Sequence, residues 1–169
     1  MARLDPWEER PIEEANLLNP AFMCALIIEF LKDYSKVQPN GAPITIVTVA
    51  MATVLHRDSR ERLPNRIITS LYSWLYDNGD ILIDFSVRSK NVLPYIKEAI
   101  MFGMATETLS NGKGHNISLG IKKISLTKNF LEQTTSEIKS IFDRVKFIGR
   151  WLSNSGTESS ILAAWGIKP

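Results

Sequence analysis

The side chains through which this 169-residue chain might carry out chemistry are two histidines, one cysteine, a scatter of serines and its carboxylates. His56 and His115 lie far apart, and neither has a neighbouring Cys or His at metal-ligand spacing, so no zinc site is expected. Asn111-Gly112-Lys113-Gly114 resembles a phosphate loop in composition alone, because it lacks the Gly-x4-Gly-Lys-Ser/Thr order after a buried strand. Glu137-Ile138-Lys139 matches half of a restriction-type nuclease motif, yet no aspartate lies between Asp84 and Asp143 to complete a metal site. None of the serines stands in a Gly-x-Ser-x-Gly elbow, and Cys24, within Phe22-Met23-Cys24-Ala25-Leu26-Ile27-Ile28, reads as a small buried hydrophobe. The expectation is a non-enzymatic chain with no cofactor and no metal.

The remaining candidates are charge and aromatic surface. Arg57, Arg60, Arg62 and Arg66 form the densest basic cluster, interrupted by Asp58 and Glu61. Such a cluster attracts DNA phosphates or else forms a solvated, internally paired connector. Lys113, Lys122 and Lys123 could add backbone contacts. Residues 1–35 carry three basic and seven acidic side chains, a net of −4, which leaves +6 for the rest of the chain. One end therefore suits a protein partner and the remainder suits phosphate, weakly. No window reaches the roughly 18 uninterrupted apolar residues of a membrane span, and the N-terminus lacks a signal-peptide core. A soluble cytoplasmic protein is expected, with no membrane partner.

The elements that would position these residues form a single domain, with 44% hydrophobic and 22% charged residues. Residues 1–19 read as an extended docking segment, with a short helical turn over Ile12 to Leu18. Asn19-Pro20 starts a helix whose stripe is Phe22, Leu26, Ile27, Phe30 and Leu31. Pro43 to His56 mixes strand-favouring Ile44 to Val49 with helix-favouring Ala50 to Leu55, and its length favours a helix. Arg57 to Arg62 reads as a charged connector. A helix is expected from Leu63-Pro64-Asn65, carrying Ile67, Ile68, Leu71, Trp74 and Leu75 to a stop at Asn78-Gly79. Two more follow, from Ile81 to about Val87 and from near Ser89, the latter with Pro94 in or near its first turn. Thr106 to Ser110 and His115 to Leu119 flank a Gly-rich loop and predict a hairpin.

A polar stretch leads to a helix from Thr135 or Ser136 with the stripe Ile138, Ile141, Phe142, Val145, Ile148 and Leu152. On its adjoining face Phe147 and Trp151 touch. Asn154-Ser155-Gly156 ends it, and Thr157 caps a last short helix through Trp165. The fold class is mainly α (α+β): a helical, winged-helix-like body over 20–120 with the hairpin as wing, then a helical C-terminal extension over 134–169.

Trp7, Trp151 and Trp165 are the unusual features. Two lie near the chain ends, where an indole either closes over the domain's own core or anchors a partner, and one of each is expected. Arg10 and Arg150 would pair with carboxylates across such a contact, or with Glu8, Glu13 or Glu158 within the chain.

Trp7-x-x-Arg10-Pro11, Glu14-Ala15-Asn16-Leu17-Leu18-Asn19-Pro20-Ala21-Phe22, Leu55-His56 followed by Leu63-Pro64, and Gly149-Arg150-Trp151 with Trp165-Gly166-Ile167-Lys168-Pro169 carry a resemblance. From residue 7 onward the chain resembles the middle component of bacterial three-component ABC systems, in particular the LmuC-type subunit of Lamassu defence loci. The resemblance implies a non-enzymatic adaptor between an SMC-like ABC ATPase and a separate effector, often a nuclease, acting against phage or plasmid DNA. DNA would be met mainly through the complex. The family's motifs map onto Trp7, Arg10, Pro11, Asn16, Leu18, Asn19, Pro20 and Phe22 at one end. At the other they map onto Gly149, Arg150, Trp151, Trp165 and Gly166, and with Phe147 these are the expected partner-facing residues. The rival reading is a stand-alone winged-helix DNA-binding regulator that uses Arg57 to Arg66 and Lys113.

Overall fold

A computed structural model describes residues 4–167. Among these the elements run α1 (Ile12–Leu17), α2 (Pro20–Tyr34), α3 (Ile44–Val54), α4 (Arg57–Arg62), α5 (Leu71–Asp77), α6 (Phe85–Ala105), β1 (Leu109–Asn111), β2 (Ile117–Leu119), α7 (Lys128–Gln133), α8 (Ser136–Ser153) and α9 (Glu158–Ala164). Short 3-10 turns occupy Trp7–Glu9, Gly79–Leu82 and Lys113–His115. The fold is mainly α with an antiparallel hairpin, as the sequence leads one to expect.

The centre is α2, which packs against α8 on one side and α6 on the other. Asn19 starts it by accepting the Phe22 amide at 2.7 Å, and Pro20 occupies the first helical position, where no N–H is needed. Met23, Leu26, Ile27, Phe30 and Leu31 are fully buried. Residues Ile12–Tyr34 are, by length and composition, apolar enough to cross a membrane, but in this fold α2 spends that apolar surface on the core. Gly149 of α8 sits where the two helices come closest, since a Cβ there would lie 2.6 Å from the Phe30 carbonyl oxygen. Lys146 and Arg150 of α8 reach the buried carboxylates of Glu29 and Asp33 on α2, at 3.6 and 3.8 Å.

The ambiguous segment is helical. From Ile46 to Val54 every residue of α3 is buried, so the helix is apolar all round, and β-branched residues are tolerated because packing outweighs propensity. Thr48 and Thr53 hide their hydroxyls by donating to the carbonyls of Ile44 and Val49, each at 2.7 Å.

Four local expectations need correction. Arg57–Arg62 is a helix rather than a connector, because His56 caps it and Arg60 is drawn inward. Leu63 to Ser70 is irregular, and the helix starts only at Leu71, where Ser70 accepts the Ser73 amide at 3.5 Å. The two helices expected after Gly79 are one 21-residue helix, α6, entered from a left-handed Asp84 (φ 58°) with Pro94 in its interior. The polar stretch before α8 holds the short α7, capped by Thr127. The expected helices at 20–35, 136–153 and 157–165 are present.

The hairpin pairs Leu109 with Leu119, Ser110 with Ser118 and Asn111 with Ile117. Ala42, between α2 and α3, adds a third edge by exchanging two backbone hydrogen bonds with Ile117, at 2.9 and 2.8 Å. Gly41 makes this possible. Its φ is +85°, and a side chain there would strike the Ile117 carbonyl at 2.4 Å.

His56 links local structure to pH. Its Nδ1 accepts the Ser59 amide at 3.3 Å and lies 2.8 Å from the Ser59 hydroxyl, an arrangement that needs the neutral ring. Burial, and then the charge of Arg88, hold its pKa below the ordinary value. A folded-state pKa that is depressed means the unfolded chain binds the proton first. Stability is therefore complete above about pH 6.5 and falls as pH drops through the folded-state value. Urea denaturation between about pH 7 and 5 is expected to show this loss, and His56→Asn, which keeps an acceptor at the cap, is expected to flatten it.

Candidate partner interface

The tryptophans at the C-terminal end belong to the core. Trp151 and Trp165 are each 1% exposed, and Phe147 is buried too. Phe147, Trp151, Trp74, Trp165 and Phe85 form a run of ring contacts, with neighbouring centroids 6.0, 5.3, 5.9 and 4.4 Å apart. It ties α8, α5, α9 and α6 together. Within this chain, Phe147, Trp151, Trp165 and Gly149 are therefore packing residues rather than exposed contacts, and of the two indoles near the chain ends Trp165 closes over the core while Trp7 stays partly exposed. Gly166 is exposed at φ +67° just past α9, and Arg150 pairs with Asp33 rather than Glu158.

At the other end, the motif residues mostly build structure. Asn19, Pro20 and Phe22 start α2, with the Phe22 ring edge-on to Phe142 at 5.8 Å. Leu18 packs on the core, Asn16 accepts the Asn19 amide group at 3.0 Å, and Pro11 precedes α1. Arg10 fixes the segment to α6. Its guanidinium donates twice to Glu98, at 2.9 and 2.8 Å, and once to the Asp5 carbonyl at 2.9 Å, between the rings of Trp7 and Tyr95. Tyr95 in turn donates to Glu14, and burial, then this bond, push its phenol up to about 12. Trp7 keeps 44% of its surface exposed beside Met101.

The basic cluster does not converge on one surface. Arg60 is 2% exposed, donating to the Val54 carbonyl at 2.8 Å and to Glu137 at 2.9 Å, so it is a buried tie between α3, α4 and α8 rather than a phosphate ligand. Arg62 is held between Asp58 and Asp80, which raise its pKa, and Arg57 pairs with Glu61 at 2.8 Å. Lys122 pairs with Glu107 at 2.9 Å. Arg66, Lys113 and Lys123 are exposed. Burial holds the Cys24 thiol above its ordinary range, consistent with a packing role. Among the described residues no three His, Cys, Asp or Glu side chains gather as a metal site.

The surface that sequence reasoning missed is the irregular stretch before α5. Three side chains pin its backbone from behind. The Trp151 indole donates to the Thr69 carbonyl at 2.7 Å, the Trp74 indole to the Arg62 carbonyl at 2.9 Å, and Arg144 to the Pro64 carbonyl at 3.2 Å. With the backbone held, Ile67 and Ile68 face outward, Ile68 at 83% exposure, beside Tyr72 of α5. Together with Asn154 and Ser155 they line a depression of 420 Å³, and Tyr76, one turn beyond Tyr72, is 90% exposed. Exposed isoleucines and tyrosines on a fixed scaffold are the composition of a protein-binding surface. Ile67 and Ile68 were expected within a helix, and the helix starts only at Leu71, which leaves them on the loop.

A comparison with protein families matches residues 7–169 to the ABC-three component (ABC-3C) system Middle Component 3. No curated protein and no solved structure matches the chain. The matched span covers nearly the whole sequence, from Trp7 past Trp165, and takes in the Arg10 clasp, the pinned loop and the aromatic run. The chain belongs to the Middle Component 3 family of ABC-three component systems.

Proposed function

We propose that this chain is the non-enzymatic adaptor of its ABC system, bridging an SMC-like ABC ATPase and a nuclease-type effector in the cytoplasm. In a Lamassu-type arrangement, with this chain in the LmuC-like place, it would hold the effector inactive until the ATPase engages foreign DNA. The observation that carries the reading is the pinned loop presenting Ile67 and Ile68 next to Tyr72. A middle component has protein partners as a class, and an apolar surface held rigid before binding loses little entropy on association. Pulldown and calorimetry with the co-encoded ATPase and effector test it. Ile68→Asp and Tyr72→Ala are each expected to weaken one of these contacts by about 2 kcal/mol, roughly 30-fold, with an unchanged melting temperature. Wild-type affinity in both variants would exclude this surface.

The DNA-binding regulator has one observation in its favour. The order α2, Ala42 edge, α3, α6, hairpin, with Ala42 paired to the second hairpin strand, follows a winged-helix connectivity with residues 55–84 inserted. The paired state of Arg57, Arg60 and Arg62 counts against it. Duplex binding by the isolated chain with a salt slope near −0.9 for each phosphate contacted would establish it in place of the adaptor.

A further inference from the structure

The N-terminal segment lies across one face of α6. Val87, Pro94, Tyr95, Glu98, Met101 and Phe102 share that face at helical spacing. Only its middle is covered: Pro94, Tyr95 and Glu98 are half-buried, while Val87, Met101 and Phe102 toward the two ends are exposed. The cover is residues 4–17, and it is thin. No residue of the Trp7–Glu9 turn or of α1 is buried, and Ile12 and Leu17 are exposed. Arg10 fastens it through the enclosed guanidinium that pairs with Glu98, and Tyr95 adds a second tie by donating to Glu14. The segment does not fill its seat. A cleft of 770 Å³ remains between Leu4, Pro6 and Trp7 on one side and Pro94 and Met101 on the other. A stretch held by polar ties over an open cleft comes away at far lower free energy than the core unfolds.

We infer that residues 4–17 are a displaceable strap, which masks this face of α6 until an arginine-bearing segment of a partner subunit takes its place on Glu98. What the strap supplies defines its competitor. Once Arg10 leaves, the Glu98 carboxylate, with Tyr95 and Met101 one turn to either side, needs a new cation. The paired bonds it makes to two guanidinium nitrogens are a geometry that arginine reproduces and lysine does not. Met101 and Phe102 extend the face past the part the strap covers, so a longer segment gains apolar contact that the strap lacks. Residues 4–17 carry five acidic side chains and one basic, which draws a cationic segment to this edge and repels nucleic acid. The cleft shares no lining residue with the loop depression beside Ile68. The inference rests on the adaptor reading and adds to it a second contact, one that the free chain keeps closed.

The test uses the full chain with the purified ATPase and effector subunits, reading amide exchange over residues 7–17 and pairwise affinity by calorimetry. Arg10→Glu should speed exchange across the strap and, with Glu98 left free, bind one subunit about 10-fold tighter, because the closed state no longer competes. Arg10→Ala, which sets no two carboxylates together, should act in the same direction should the reversal disturb folding. Glu98→Arg also opens the strap but repels the incoming arginine, so the same subunit should bind about 10-fold more weakly than to wild type. The double reversal Arg10→Glu with Glu98→Arg should restore slow exchange while binding stays weak. Binding to the wild-type chain should deprotect residues 7–17 and protect the second half of α6. An opened strap with wild-type affinity for both subunits overturns the inference alone, since the Ile68→Asp effect would still stand. Weaker binding by Arg10→Glu or Arg10→Ala makes the strap itself the contact, and a gain of duplex DNA binding makes the face a nucleic-acid surface; either overturns it. Failure of the wild-type chain to bind either subunit overturns the adaptor reading and the strap together.

Discussion

Replacing Trp165 with alanine is expected to destabilise the fold by about 3–5 kcal/mol, the usual range for truncating a fully buried aromatic. For a chain of this size that corresponds to a fall in Tm of roughly 6–20 °C. The ring lies flat against Phe85 at 4.4 Å and tilted on Trp74 at 5.9 Å, so its removal opens a void between α5, α6 and α9. Trp165→Phe should cost less, because the buried indole nitrogen has no hydrogen-bond partner and the phenyl ring keeps the stack. Trp151→Ala should be comparably severe, and for a further reason. It frees the Thr69 carbonyl, and with it the loop that carries Ile67 and Ile68. The two alanine variants should be non-additive through Trp74, which touches both rings. Thermal denaturation of the singles and the double measures this, and a Tm within 2 °C of wild type for Trp165→Ala would contradict the burial.

Gly149→Val is expected to cost at least about 3 kcal/mol, since no rotamer relieves a clash that begins at Cβ. The added carbon would sit 2.6 Å from a backbone oxygen of Phe30 and 3.3 Å from the Tyr34 amide nitrogen. The obstacle is helix backbone, so α8 must move away from α2 as a body. That displacement also draws Lys146 and Arg150 from Glu29 and Asp33. Gly149→Ala should be milder in magnitude and the same in sign. Urea titration of both variants, with an undiminished m-value, would locate the effect in the folded state.

What the sequence made legible followed from strong periodicity and from caps. The stripe of α8, the Asn19-Pro20 start of α2 and the Thr157 start of α9 were each readable because a local chemical signal coincided with the apolar spacing. The stretch from Arg57 to Val87 was misread because its decisive interactions are long-range. Arg60 goes inward to meet Val54 and Glu137, and Leu63 to Ser70 is kept out of helix by donors from Trp74, Trp151 and Arg144. Leu71, Trp74 and Leu75 lie on the expected helix and are buried, while Ile67 and Ile68, expected on the same helix, lie before its start and are exposed. An indole near a chain end is equally compatible with a core and with a partner. Only the neighbouring rings of Trp74 and Phe85 decide for Trp165.

The reliance of α2 on α8 has a consequence for how the protein is made. By the time the ribosome has added the 119 residues from the end of α2 at Tyr34 to the end of α8 at Ser153, roughly 6–24 s have passed at ordinary elongation rates. Throughout that interval the long apolar helix α2 of the nascent polypeptide lacks its main cover. It resembles a membrane span in composition, and is a natural client for a holdase chaperone or for mistaken capture by the secretion machinery. Codon choice over residues 35–135 would then set how long that exposure lasts, and synonymous changes that slow translation there should lower the soluble yield without altering the finished protein.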